Sequence, residues 1–108
     1  MMHQASRVTI TAEKLIQDGL TEIIEAEGAL GYSVFEGGGK GQHGLHGLLR
    51  SPIVDEFAII KIEVVVTDRA VAEAIAEKVT KAFFADHSGI VYIDNVEILR
   101  PTKFGNSP

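Results

Sequence analysis

Between Gly37 and Asp55 the chain gathers side chains suited to holding an anion. Lys40 and Arg50 are cationic, His43 and His46 become so on protonation, and Asp55, at the far end, is the only acid of the stretch. Six of the eleven glycines lie between Gly37 and Gly47. Glycine lets successive backbone N–H groups converge at positive φ, which is the chemistry of an anion-binding nest. Lys40 in that setting would supply a point charge to a phosphate or carboxylate. Glycine content by itself does not separate such a site from a plain surface loop.

Other chemistries find less support. Gly39-Lys40-Gly41-Gln42-His43-Gly44 satisfies the G-x-G-x-x-G spacing, yet no helical run follows it and no crossover leads to a parallel strand, so it is not a dinucleotide fingerprint. Gly41 follows Lys40 where a Walker motif needs Ser or Thr. His43 and His46 are two ligands without a third, too few for a metal site. His3 falls in a terminus expected to fray, and His87 in a turn. Ser6, Ser33, Ser51, Ser88 and Ser107 have no nucleophile-elbow setting. Glu36 and Glu63 would approach one another if their strands paired, but two such carboxylates read as solvated or ion-paired groups. No residue is assigned a catalytic or metal-binding role, and the chain reads as a non-enzyme.

The bulk properties agree. A length of 108 residues with 45% hydrophobic content suits one domain with one core. A net charge of −5 opposes nucleic-acid binding. No cysteine occurs, which excludes disulfides and thiolate chemistry. The first residues carry no signal-peptide core, and no run of about eighteen apolar residues is present, so a soluble, cytoplasmic protein is expected.

The elements that must position the loop follow from periodicity. Arg7 to Thr11 alternates as a strand with Val8 and Ile10 inward. From Glu13 to Glu27, Ile16, Leu20, Ile23 and Ile24 recur at helical spacing, and Gly28 stands at the C-cap position. Tyr32 to Glu36 is a short strand with Val34 inward. Phe57 to Val66 is a central strand with Ile60, Ile62, Val64 and Val66 on one face and Lys61, Glu63 and Val65 on the other. Asp68 caps a second helix whose apolar face is Val71, Ala72, Ile75, Val79 and Phe83, ending near Phe84. Ile90 to Leu99 is the last strand, ended by Pro101. The order βαββαβ predicts an α+β, ferredoxin-like domain with four antiparallel strands and both helices on one face. The domain spans 1–108, with a long loop at 37–55 and a short tail at 101–108. The uncovered sheet face predicts association with further copies.

Gly31-Tyr32-Ser33-Val34, then Gly38-Gly39-Lys40-Gly41, then Lys61-Ile62-Glu63-Val64-Val65-Val66 resemble, in order and spacing, the PII signalling superfamily. Thr11-Ala12-Glu13-Lys14 and Gly89-Ile90-Val91-Tyr92-Ile93 are closer to its PII-like branch associated with bicarbonate transport and carboxysomes. The resemblance implies a homotrimer binding adenine nucleotide in clefts between subunits, with residues 37–55 as the T-loop that carries the output. It places Ser33 and Val65 at the adenosine, Gly39, Lys40, Gly41 and Gln42 at the phosphates, and Gly89 in the turn closing over them. It implies bicarbonate as a second ligand, for which Lys40, Arg50 or loop backbone N–H groups are chemically suited, and a membrane transporter or another protein as a partner.

The turn Ala85 to Gly89 lacks the longer glycine-rich, lysine-bearing turn of nitrogen-regulatory PII proteins, and Glu97-Ile98-Leu99-Arg100 replaces their paired arginines. Fewer cations favour ADP or AMP over ATP with magnesium. A divalent-cation-binding or cyclic-dinucleotide-binding trimer of the same fold is the alternative.

Overall fold

The computed structural model describes residues 1–38 and 58–100. Strand β1 runs His3–Glu13 and passes through a 3-10 turn, Lys14–Ile16, into helix α1, Gln17–Ala26. Strands β2, Ser33–Gly37, and β3, Ile59–Val66, follow, then helix α2, Arg69–Phe83, and strand β4, Gly89–Ile98. The sheet order is β2-β3-β1-β4 with every neighbouring pair antiparallel. This is the split βαβ arrangement expected of a ferredoxin-like domain.

Alternation along the strands decides which side is the core. Val8, Ile10 and Ala12 of β1 pair with Val64, Ile62 and Ile60 of β3, and all six are buried. Both helices cover this face: Leu20 and Ile24 from α1, and Ala72, Ile75 and Val79 from α2, join the same cluster. Val34 packs against it from the edge. Gly19 permits the helices to meet, since a Cβ there would lie 2.3 Å from Phe83 Cζ.

The helix ends follow local chemistry. Gly28 has φ 87°, its N–H donates to the Glu25 carbonyl at 3.0 Å, and the Ala29 N–H donates to the Ile24 carbonyl at 3.4 Å. These are the two bonds of a Schellman cap. At α2, Asp68 Oδ1 accepts from the Ala70 N–H at 2.9 Å.

Four expectations are corrected. His3 is not frayed: it lies in β1 opposite Ile98. β1 is central, so neighbours on both sides extend it beyond the visible alternation at Arg7–Thr11. Glu13 belongs to β1 and is buried, whereas helical geometry starts at Lys14. Glu36 and Glu63 do not face one another: Glu36 stands opposite Ile60, and Ser33 opposite Glu63.

Candidate functional site

The sheet face away from the helices carries Ser33 and Val65, two of the residues singled out in the sequence. Register aligns Ser33, Glu63, Thr9 and Tyr92 in one row across it, and Phe35, Lys61, Thr11 and Ile90 in the next. Phe35, Ile90 and Tyr92 are 50%, 58% and 48% exposed, an apolar content unusual for a face turned to water. Between them two charged groups are paired with each other. Lys61 Nζ lies 3.4 Å from Glu63 and 5.3 Å from the centre of the Phe35 ring.

Ser33 and Val65 come together. Ser33 opposes Glu63, and Val65 stands two residues further along β3 on the same face, a diagonal neighbour. Gly89 is at the opposite edge of the sheet, where β4 pairs with β1 at Ala12. Three strand spacings separate the edges, roughly 14 Å. One chain therefore does not bring Ser33 and Gly89 into one site. Gly39, Lys40, Gly41, Gln42 and Arg50 lie outside the described residues, as do most of the 37–55 loop and the 101–108 tail.

The roots of that loop are described, and both are tied to Lys14. Its Nζ donates to Glu36 Oε1 at 3.3 Å on the β2 side, and its backbone N–H donates to the Ala58 carbonyl at 2.8 Å on the β3 side. Beside them opens a cleft of about 270 Å³ lined by Thr11, Phe35, Gly37, Gly38 and Lys61 among others.

The turn before Gly89 is held from two directions. The Asp86 and His87 N–H groups donate to the Phe83 carbonyl at 3.1 and 2.9 Å, closing the end of α2. The Ser88 N–H donates to Glu13 Oε1 at 3.0 Å, and His87 Nδ1 stands 3.4 Å from the same oxygen. Gly89 is required sterically: a Cβ would meet the Phe84 ring at 2.4 Å and the Thr11 carbonyl oxygen at 3.0 Å.

Glu13, Lys14 and Phe84 were not read as site residues from the sequence. Their signal is the distance in sequence between partners, Glu13 to Ser88 and Lys14 to Glu36, which no local period reports. Among the described residues no three of His, Asp and Glu gather as a metal site, and no helix is long and apolar enough to cross a membrane.

The family model described as nitrogen regulatory protein P-II matches residues 5–103. A PII-like signalling protein from Thermus thermophilus is 30% identical, with a TM-score of 0.78 over 95% of this chain and 97% of that one. The protein CPII from Thiomonas intermedia, in a structure bound to ADP and bicarbonate, is 26% identical, with a TM-score of 0.79 over 96% of this chain and 97% of that one. A further CPII structure, bound to ADP, AMP and bicarbonate, has a TM-score of 0.81 at 24% identity and covers 97% of both chains, a likeness in fold.

Proposed function

Since this chain belongs to the nitrogen regulatory protein P-II family, we propose that it is a non-enzymatic sensor that binds ADP or AMP between subunits of a homotrimer and responds to bicarbonate. The observation that carries the reading is the likeness, over nearly the whole chain, to CPII bound to ADP and bicarbonate.

The geometry supports an intersubunit site. Ser33 and Val65 are at one edge of the sheet and Gly89 at the other, so a ligand touching all three needs the edges of two copies. The exposed Phe35, Ile90 and Tyr92 offer the apolar area by which copies would associate. In the assembled cleft Ser33 and the backbone at Val65 meet the adenosine. Gly39 to Gln42, with Lys40 foremost, meet the phosphates, and the Gly89 turn closes over them. Bicarbonate sits beside Lys40 or Arg50. The 37–55 loop is the output surface toward a partner such as a membrane transporter of inorganic carbon.

Isothermal titration with ADP, AMP, ATP and cyclic AMP, each with and without bicarbonate, tests this on protein of verified oligomeric mass. ADP or AMP should bind; where nucleotide orders the loop that bicarbonate joins, bicarbonate tightens the nucleotide by the same factor, because linkage between two ligands is reciprocal. Lys40→Ala removes a charge-assisted bond, so phosphate-bearing ligands should weaken by roughly tenfold to a hundredfold. Absence of nucleotide binding by a folded oligomer overturns the reading. Binding of a divalent cation or a cyclic dinucleotide in its place would select the alternative of the same fold.

A further inference from the structure

Glu13 is 7% exposed at the end of β1, among the few buried polar residues of the described chain. A buried carboxylate is costly unless hydrogen bonds meet it. Here the partner comes from 75 residues away: Oε1 accepts the Ser88 N–H at 3.0 Å, with His87 Nδ1 at 3.4 Å. The N–H groups of Phe84, Asp86 and His87 in this turn return to carbonyls of Thr80 or Phe83 at the end of α2. Ser88 is the last residue before β4, and its N–H is received by a side chain of a different strand. The next residue, Gly89, is pressed between the Phe84 ring and the Thr11 carbonyl. The turn is thus fixed at one end by α2 and at the other by Glu13.

We propose that Glu13 is a positioning residue of the nucleotide site: it holds the Phe84–Ser88 turn where that turn meets the ligand's phosphates, without touching the ligand. This rests on the nucleotide reading above and names a residue that the reading does not use. Burial decides between positioning and competition. A carboxylate that mimicked a phosphate would stand in the opening, whereas the Glu13 side chain is only 9% exposed and lies beneath the turn. Removing it should loosen the turn and weaken contacts to phosphate while leaving those to adenosine in place. His87, when protonated, adds an ion pair to the same oxygen and strengthens the hold.

The test compares wild type, Glu13→Ala and Glu13→Gln by titration with ADP and, in competition with ADP, adenosine, and by hydrogen exchange at the Ser88 amide. In Glu13→Ala, ADP affinity should fall at least fivefold, adenosine affinity should stay within twofold, and Ser88 exchange should accelerate tenfold or more, given the strength of a charge-assisted bond. Glu13→Gln retains a carbonyl acceptor and should fall between the two; it serves as the test if the alanine variant does not fold. Equal losses for ADP and adenosine, an unchanged ratio, or tighter ADP binding would overturn the positioning role. Lack of ADP binding by wild type overturns the nucleotide reading itself, and this role with it. Unchanged Ser88 exchange in both variants removes the clamp whatever the ligand.

Discussion

Arg7 and Asp94 face one another across β1 and β4 and meet at two points, Nε to Oδ1 at 3.1 Å and Nη2 to Oδ2 at 2.7 Å. The fork of the guanidinium matches the carboxylate, which sets this pair apart from ordinary surface ion pairs. Both side chains are about two-fifths exposed on the face that carries Phe35 and Tyr92.

The pair predicts an acid limb. The hydrogen bond from Arg7 is the largest influence on Asp94 and holds its carboxyl below the ordinary 3.8, against the opposing effect of burial. A carboxyl whose folded pKa is depressed contributes stability above its unfolded value and loses it as pH falls through the folded one. Thermal melts from pH 7 to pH 2 should therefore show wild type losing more Tm below about pH 4 than Asp94→Asn does. Parallel curves for the two proteins would contradict this.

Gly89→Ala tests the fit of the turn. Its φ is not positive, so the penalty is one of space: the added carbon meets the Phe84 ring at 2.4 Å and a backbone oxygen at 3.0 Å. A loss of about 1–3 kcal/mol in denaturant unfolding is expected, typical of overpacking. The double variant Gly89→Ala/Phe84→Ala should cost less than the sum of the two single changes, because the two sites are in contact and coupled.

Ile62 and Ile10 oppose one another at the centre of the β1–β3 pair, and neither is exposed. Ile62→Ala should cost about 2–5 kcal/mol and Ile10→Val about 0.5–1.5 kcal/mol in unfolding free energy. A smaller Ile62→Ala effect would mean that the site collapses to fill the void.

Asp68→Ala removes the acceptor for the Ala70 N–H at the start of α2. The expected loss is about 1 kcal/mol, and Asp68→Asn should restore most of it, since asparagine caps as well as aspartate. Equal unfolding midpoints for wild type and Asp68→Ala would show that water meets the orphaned N–H at no cost.

Much of the fold was legible because it rests on local periods. Ile60, Ile62, Val64 and Val66 can be buried together only in a strand, Asp68 and Gly28 mark helix ends by their own chemistry, and the element order implies the sheet topology. The family resemblance was legible as well, in motifs whose order spans the chain.

The tertiary structure alone decided who meets whom. β1 outgrows its alternating segment because it is hydrogen-bonded on both sides, and that central place buries three polar residues, Ser6, Thr9 and Glu13. Register sets Ser33 opposite Glu63 and Glu36 opposite Ile60, and strand order puts Ser33 and Gly89 on opposite edges of the sheet. Composition could identify Glu13 as a carboxylate but not its task, because the amide it holds is 75 residues away. Periodicity reports which way a side chain points along its own strand or helix; its partners depend on how distant segments are brought together, and only the folded chain supplies that.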